Sequence, residues 1–249
     1  MVILKQPDEI EKARASNRIV AEVLSVLREK VKPGVTTLEL DQIAETIVEK
    51  RGARPAFKGY RGYPYALCAS VNEEVVHGMP SKRVLVEGDI IGLDFGVYHQ
   101  GFYGDSAITL PVGRVSGKAA RLMEITERSL QAAILHACPG NRLGDISAAV
   151  QQTVEAAGYS VVRDFVGHGI GRDMHEDPQI PNFGKKGRGI ELKAGMILAI
   201  EPMVNEGSYS VNVLSDGWTV VTQDGSLSAH FEHSVAITEN GPDILSRLN

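Results

Sequence analysis

The strongest constraint on the fold is an internal repeat. In the first half, a helical apolar pattern stops at Pro33. A second helical pattern opens at Thr36-Thr37-Leu38-Glu39, which is a capping-box pattern, and Gly52 ends it. The second half has the same plan, with Pro139 after one helical stretch and Gly158 after the next. The spacing from proline to glycine is identical in the two copies. A repeat of this length predicts two similar structural units that pack together and bury a shared core.

The repeat continues into the apolar segments that follow the helices. The segment Glu87 to Asp94 aligns with Ala194 to Glu201 when their glycines are superposed, which sets Asp94 over Glu201. Each half then contains two helices followed by a β segment that ends in a carboxylate, and pairing the halves brings the two carboxylates to a shared centre. A chance alignment is the alternative, because a glycine followed by an apolar strand is common.

No linker or low-complexity tract separates the halves. This favours one α+β domain over residues 1–249, with pseudo-repeat halves of about 1–115 and 116–249. The excess of 31 acidic over 26 basic side chains disfavours binding to nucleic acid or to anionic membranes. The amino terminus has no apolar stretch of signal-peptide length, and the two cysteines lack a CxxC partner. A cytoplasmic protein is therefore predicted.

Two aspartates are predicted to meet in a β-hairpin. Strands over 90–96 and 102–110 flank a turn near 99–101, and Asp94 and Asp105 are symmetric about that turn. We therefore expect the two carboxylates to face each other directly, in a partly buried setting where a bound cation would relieve their repulsion. The alternative is that both aspartates are solvated or paired with arginine or lysine.

Three further residues have the chemistry of metal ligands. Glu201 ends an apolar run before a proline, Glu232 interrupts a strand-like segment, and His168 lies between two glycines, where the ring can reach a metal. Together with Asp94 and Asp105 they form an oxygen-rich set with one nitrogen, which suits Mn²⁺, Fe²⁺, Co²⁺ or Zn²⁺. Five side chains are too many for one open catalytic ion. The set therefore predicts two ions, about 3.5–4 Å apart, that hold a bridging hydroxide and polarise a carbonyl for hydrolysis of an amide or similar bond.

Two more histidines are candidates for contact with a substrate. His77 and His175 could bind the carbonyl oxygen or the amide nitrogen as the reacting carbon becomes tetrahedral, or each could be a structural hydrogen-bonding residue. The motifs of phosphate loops, dinucleotide sites, HExxH zinc sites and GxSxG nucleophiles are absent. A metal-dependent hydrolase is the prediction that remains.

The motifs around these residues resemble those of one enzyme family along essentially the whole chain. The matching stretches are Gly59-Tyr60-Arg61-Gly62-Tyr63-Pro64, Ser70-Val71-Asn72-Glu73 through His77-Gly78, Asp94 to Asp105, Gly167-His168-Gly169-Ile170-Gly171, Glu201-Pro202, Asp216-Gly217-Trp218-Thr219, and Ser226-Leu227-Ser228-Ala229 before Glu232-His233. In combination they resemble the type I methionine aminopeptidases of the bacterial form.

The resemblance implies a fold, an activity and a set of metal ligands. The fold would be the pita-bread fold, with pseudo-two-fold symmetric halves whose helices pack on a curved antiparallel sheet. The activity would be removal of the initiator methionine from nascent proteins and peptides, with a preference for a small second residue. The resemblance also implies that Asp105 and Glu232 bridge two divalent ions, that Asp94 chelates one, and that His168 with Glu201 completes the other.

The resemblance further implies roles for residues around the metals. Glu201 would accept a proton from the attacking water, His175 would contact the scissile carbonyl, and His77 would contact the substrate near its amide nitrogen. The pocket for the methionine side chain would be lined by Tyr60, Tyr63, Cys68, His77 and Trp218. Two residues depart from the family pattern: Met174 stands at a usually aromatic position, and His230 is an unusual neighbour of the last ligand. Their effects are left open at this point.

The implied partners are nascent polypeptide N-termini, with a transient association with the ribosome, and the implied assembly is a monomer. Two alternatives remain. A proline-specific peptidase, an aminopeptidase P or a prolidase, would share the fold and the ligand set. A non-catalytic relative would bind protein or RNA, but the intact ligand set and the acidic charge favour an enzyme.

Overall fold

The structure is a computed structural model that describes residues 2–248, so Met1 and Asn249, the ends of the predicted domain, lie outside the described residues. The α-helices are α1 Pro7–Lys30, α2 Thr37–Lys50, α3 Gly117–Ile134 and α4 Leu143–Ala156, and a short 3-10 helix covers Tyr60–Gly62. Each half of the chain thus contains one pair of helices, as the repeat predicted. Within residues 2–248, none of the helices combines the length and the apolar character needed to span a membrane.

The β-structure forms one large sheet and two small ones. The strands are β1 Arg54–Pro55, β2 Leu67–Val71, β3 Glu74–Val76, β4 Ile90–His99, β5 Phe102–Pro111, β6 Ser160–Val161, β7 Gly167–Gly169, β8 Glu176–Ile180, β9 Ile197–Ile200, β10 Met203–Asn205, β11 Val211–Val213, β12 Val220–Thr222, β13 Ser228–His230, β14 Glu232–Thr238 and β15 Gly241–Ile244. The large sheet has the order β1-β4-β5-β14-β9-β7-β8, with β2 beside β4 and β15 beside β14. The small sheets have the orders β13-β10-β6 and β11-β12-β3. All these pairings are antiparallel, so the fold is α+β as predicted.

The order of the large sheet places the two halves around a common centre. Strands β4 and β5 of the first half meet β14 and β9 of the second half where β5 pairs with β14. Gly88 precedes β4 with φ of 102°, and Gly195 precedes β9 with φ of 93°. Both glycines have the left-handed backbone that other residues rarely adopt. The predicted alignment of Asp94 with Glu201 therefore corresponds to two equivalent strands of the structure.

Helix α2 begins where the sequence predicted. The backbone N–H of Thr36 donates to the Glu39 carboxylate at 2.7 Å, and the backbone N–H of Glu39 donates to the Thr36 hydroxyl oxygen at 3.2 Å. This reciprocal capping box satisfies two N–H groups that have no partner inside the helix.

Alternation along the strands separates the core from the polar face of the sheet. On β4, Leu93 and Phe95 are fully buried in an apolar cluster with α1 and α2. Asp94 points to the other face, because successive side chains of a strand alternate. A second cluster joins α3 and α4 to Leu198 of β9 and Val235 of β14. Burial of each large apolar side chain contributes about 1.5–3 kcal/mol. The helices thus hold one face of the sheet and leave the other face to polar residues.

The β4–β5 hairpin differs from the prediction in its register. The turn consists of Gln100 and Gly101 alone, with φ values of 51° and 86°. Such a turn, with two left-handed residues, fixes the pairing of the strands on either side. Asp94 therefore pairs with Ala107, two residues beyond Asp105. The expectation that the two aspartates face each other directly is wrong: they are diagonal neighbours on the same face of the hairpin.

Candidate metal centre

Consecutive strands of the large sheet supply the predicted metal ligands, one from each. Asp94 lies on β4, Asp105 on β5, Glu232 on β14 and His168 on β7, while Glu201 directly follows the last residue of β9. These strands are neighbours in the order β4-β5-β14-β9-β7. The fold therefore brings together all the metal-ligand candidates that the sequence predicted.

The side-chain atoms of this set converge. His168 Nε2 lies 3.6 Å from Glu201 Oε1 and 4.0 Å from Asp105 Oδ2. Ligand atoms of Asp105, His168 and Glu232 all lie within 4.8 Å of one another. Asp94 Oδ1, Asp105 Oδ1 and Glu232 Oε1 are buried without a hydrogen-bond partner among residues 2–248. Buried carboxylate oxygens without donors are unfavourable, and a divalent cation is the partner that suits this donor set.

Burial and mutual repulsion shift the protonation of these groups. Burial raises the pKa of Asp94 to about 7. Burial first, and then the charges of neighbouring carboxylates, raise the pKa of Asp105, Glu201 and Glu232 well above the usual range. Burial lowers the pKa of His168 to about 3, so its ring is neutral at pH 7. A cluster that resists holding several negative charges gains most from a bound cation.

Two glycines allow His168 to reach the centre. A β-carbon added at Gly167 would lie 2.4 Å from the carbonyl oxygen of Ala199, and one added at Gly169 would lie 2.2 Å from that of Asp177. Strand β7 can therefore approach β9 and β8 only because both positions lack a side chain. The Nδ1 atom of His168 is 2.9 Å from the Gly169 carbonyl oxygen, which leaves Nε2 directed at the carboxylates.

Side chains from three elements hold β5 and β14 beside each other. The Ser234 hydroxyl donates to the Asp105 carbonyl oxygen at 2.8 Å, and the Ser106 hydroxyl donates to the Glu232 carbonyl oxygen at 2.6 Å. The Asp105 backbone N–H donates to Asn17 Oδ1 of α1 at 3.2 Å. The backbones of Asp105 and Glu232 are thus fixed independently of any metal.

The carboxylates line one part of a cavity whose other lining residues include several aromatic side chains. Its volume is about 190 Å³, somewhat more than the ~150 Å³ of a cavity that accepts benzene. Its lining includes all of the predicted pocket residues, Tyr60, Tyr63, Cys68, His77 and Trp218, together with His175 and the metal-ligand candidates Asp94, Asp105, His168, Glu201 and Glu232. The structure therefore places the predicted pocket and the predicted metal ligands in one cavity of a size suited to a single side chain.

One wall of the cavity is aromatic. The ring of Tyr63 packs edge-on against Trp218 with centroids 5.1 Å apart, and its hydroxyl donates to the Leu67 carbonyl oxygen at 3.0 Å. The ring of His77 lies 6.3 Å from that of Trp218. Burial lowers the pKa of His77 to about 4. Cys68 is buried, pairs with Asp94 across β2 and β4, and burial raises the pKa of its thiol.

His175 also lines the cavity, close to the metal-ligand candidate His168. Its ring centroid is 4.2 Å from that of His168, and its Nδ1 lies 2.9 Å from the Tyr60 hydroxyl oxygen. Burial lowers the pKa of His175. The following residue, Glu176, forms a buried ion pair with Lys5, and this pair holds the segment that carries His175 against the amino-terminal region.

The cavity also contains residues that the sequence did not identify. They are Phe57, Arg61, Val76, Phe165, Val166 and Met203. An apolar side chain that lines a pocket has the same pattern as one in the core, so it carries no separate sequence signal. Two signals were available: Arg61 and Val76 lie inside the matched stretches, and Phe165 and Val166 stand directly before the glycine-flanked His168.

The departure at Met174 is matched by a neighbouring aromatic residue. Met174 is 2% exposed and lines the cavity. A β-carbon added at Gly96 would lie 2.8 Å from Phe57 Cε1 and 3.2 Å from Met174 Cε, so both side chains pack over that glycine. Phe57 therefore supplies an aromatic ring beside the position where Met174 lacks one.

Comparisons with known proteins identify the family of this chain. Residues 11–239 match the family model described as metallopeptidase family M24. The methionine aminopeptidase of Clostridium perfringens is 57% identical over 248 residues, which covers 100% of both chains. The crystal structure of methionine aminopeptidase from Thermotoga maritima has a TM-score of 0.98 at 51% identity, again over 100% of both chains.

A more distant likeness concerns the fold alone. The prolidase of Pyrococcus horikoshii OT3 matches with a TM-score of 0.81 at 22% identity, over 100% of this chain and 65% of that chain. Together these structures confirm the predicted pita-bread fold. The chain belongs to metallopeptidase family M24 and, within it, to the methionine aminopeptidases that it matches along its whole length.

Proposed function

We propose that this protein removes the N-terminal methionine from nascent proteins and peptides, with a preference for a small second residue. The observation that carries the proposal is the meeting of a cavity for one side chain with a set of metal-ligand residues. An apolar cavity of this size next to a charged cluster suits one apolar side chain whose backbone amide lies at the ligands. Similarity to methionine aminopeptidases supports methionine as that side chain.

The proposed cofactors are two divalent ions per chain, which could be Co²⁺, Mn²⁺, Fe²⁺ or Zn²⁺. Asp105 and Glu232 would bridge both ions, Asp94 would chelate one, and His168 with Glu201 would complete the other. The sheet order supports this assignment, because β5 and β14 lie between β4 on one side and β9 and β7 on the other. When bound, the ions would supply a bridging hydroxide at neutral pH and polarise the scissile carbonyl.

The remaining polar residues would move protons and orient the peptide. Glu201 would accept the proton of the attacking water, because its carboxylate lines the cavity beside the other metal-ligand candidates. His175 would donate a hydrogen bond to the scissile carbonyl oxygen, and His77 would contact the substrate near its amide nitrogen. The pKa of each histidine is lowered by burial, so both act as neutral hydrogen-bonding groups at pH 7.

The proposed binding pocket holds the methionine side chain between aromatic rings. It consists of Tyr60, Tyr63, Cys68, His77 and Trp218. A flexible thioether packs favourably against such rings. Because Phe57 and Met174 pack together over Gly96, they would close the cavity at that edge and limit the length of the side chain that enters.

We further propose that residues 1–249 act as one domain and as a monomer. A large sheet that combines strands from both halves supports the single domain. The proposed setting is the cytoplasm, with transient association with the ribosome as nascent N-termini emerge. The net charge of −5 argues against nucleic acid or a membrane as a partner.

A proline-specific peptidase is the alternative enzyme on the same fold. One Co²⁺-loaded preparation should be assayed on Met-Ala-Ser and on Xaa-Pro-Ala peptides. We expect release of methionine from the first peptide and little reaction with the second. Release of the first residue only before proline would overturn the methionine assignment. Metal binding without cleavage of either peptide would favour the non-catalytic alternative.

The metal-bridging role has its own test. Asp105→Asn and Glu232→Gln each remove one negative ligand while keeping the side-chain shape, so we expect loss of turnover and fewer bound ions by elemental analysis. Asp243→Asn is the matched control, because this substitution also replaces a carboxylate by an amide. Asp243 lies at the surface, where it pairs with Arg14. An unaltered rate in either ligand variant would refute the bridging assignment.

A further inference from the structure

His230 is a buried histidine beside the metal-ligand candidates. The proposed function gives His230 no role. It ends β13, two residues before Glu232, and its side chain is 3% exposed. Its Nε2 atom has no hydrogen-bond partner among residues 2–248. A buried nitrogen of this kind is unfavourable unless it finds a partner, so a polar neighbour just beyond hydrogen-bond length is informative.

That neighbour is the carboxylate of Glu201. His230 Nε2 lies 3.7 Å from Glu201 Oε2, while His168 Nε2 lies 3.6 Å from Glu201 Oε1. The two carboxylate oxygens thus face two different imidazole rings. Within residues 2–248, no hydrogen bond reaches the Glu201 carboxylate, so a small rotation is free to shorten the contact with His230 to hydrogen-bond length.

The backbone of His230 cannot move away from this position. Its N–H donates to the Thr109 hydroxyl oxygen at 2.9 Å, and that hydroxyl donates to the His230 carbonyl oxygen at 2.7 Å. On the other side, His230 pairs with Met203 across β13 and β10. The backbone that carries the ring is therefore held between two strands, so a shorter contact with Glu201 requires rotation of a side chain.

We propose that His230 is a positioning residue, which donates a hydrogen bond from Nε2 to Glu201 Oε2 and so fixes the orientation of the Glu201 carboxylate. The inference rests on the proposed function, in which Glu201 is a metal ligand and a proton acceptor. With Oε2 held by His230, Oε1 is directed toward the side of the cavity where His168 lies. A hydrogen-bonding partner behind a ligand typically changes metal affinity about 10–100-fold when it is removed.

The test compares two substitutions that differ in one hydrogen-bond donor. His230→Gln keeps an N–H at the same number of bonds from the β-carbon, and His230→Met has similar length without a donor. Co²⁺ affinity by calorimetry and the visible absorption spectrum of the Co²⁺-loaded protein report on ligand geometry apart from turnover. His233→Gln is the control, because His233 is a partly buried histidine whose Nδ1 contacts Ser246 Oγ at 2.8 Å.

We expect His230→Met to weaken Co²⁺ binding about tenfold or more, to change the absorption spectrum and to lower kcat with little change in KM. His230→Gln should restore all three toward the parent values, and the His233→Gln control should match the parent. Equal behaviour of the Met variant and the parent, or an equal loss in the Met and Gln variants, would overturn the positioning role. If His230→Met does not fold, His230→Leu replaces it in the same comparison. A parent protein that neither binds Co²⁺ nor cleaves Met-Ala-Ser would instead overturn the proposed function.

Discussion

The burial of the carboxyl groups predicts how the stability of the metal-free protein depends on pH. In the folded protein, burial raises the pKa of Asp94 from 3.8 to about 7. A group whose folded pKa is raised stabilises the fold in its protonated form. Its contribution to the free energy of unfolding is therefore greatest below its unfolded pKa, falls as pH rises and levels off near pH 7. From low to high pH, the contribution of Asp94 to the free energy of unfolding falls by about 4 kcal/mol. About 3 kcal/mol of this change falls between pH 5 and pH 8.

Other groups also titrate in this range, so the measurement must be a difference. Burial lowers the pKa of His77 to about 4 and that of His168 to about 3, and such histidines favour the fold increasingly as pH rises toward 6.5. Comparing the parent with Asp94→Asn cancels their contribution, because both proteins contain them. The variant also removes the Asp94 charge that helps to raise the pKa of Asp105 and Glu201. The loss of this charge likewise stabilises the variant relative to the parent as pH rises.

The assay is urea unfolding of both proteins in a chelator, followed by circular dichroism at several values between pH 5 and pH 8. We expect the variant to gain about 3 kcal/mol relative to the parent across this range. Added Co²⁺ should reverse the trend, because binding requires deprotonated ligands and the parent has one more of them. A difference that stays constant with pH, or that favours the parent as pH rises without metal, would refute the reasoning.

Two further substitutions test the geometry around the site. Gly169→Ala should lower the free energy of unfolding by about 2 kcal/mol or more and weaken metal binding, because its β-carbon would lie 2.2 Å from the Asp177 carbonyl oxygen. Thermal denaturation checks this against Gly117→Ala, a position with nothing within 4 Å of the added carbon; equal melting temperatures would contradict the expected contact. Met174→Phe should raise KM for Met-Ala-Ser about tenfold with a smaller change in kcat, because Phe57 already occupies that edge of the cavity. Steady-state kinetics at a fixed Co²⁺ concentration would measure KM and kcat of this variant. An unchanged KM would show that this edge of the cavity does not limit the pocket.

Features of the fold that follow from local patterns were predictable. The end of the first helical stretch before Pro33 and the capping of α2 at Thr36 depend on residues a few positions apart. The strand that ends before Glu201 follows from a short apolar run bounded by glycine and proline. The symmetry of the two halves could also be predicted, because each half repeats these local signals.

The β4–β5 hairpin has a feature that local sequence patterns did not predict. The positions of Asp94 and Asp105 along their strands were predicted, but their pairing was not. The register depends on which two residues form the turn: a turn at 99–100 pairs Asp94 with Asp105, whereas the observed turn at 100–101 pairs Asp94 with Ala107. Both alternatives leave nearly the same sequence pattern. The prediction of a shared site survived the error, because diagonal neighbours still lie on one face of the sheet.

The sequence by itself determined the kinds of chemistry available to this protein: four carboxylates and an imidazole at strand positions, two copies of one structural plan, and motifs of a known family. Only the tertiary structure decided which side chains meet. It joined Phe57 to Met174 over Gly96 and set His230 3.7 Å from Glu201. These contacts join residues far apart in the chain, and fractions of an ångström in strand packing decide them. No periodicity or spacing in the sequence records such distances.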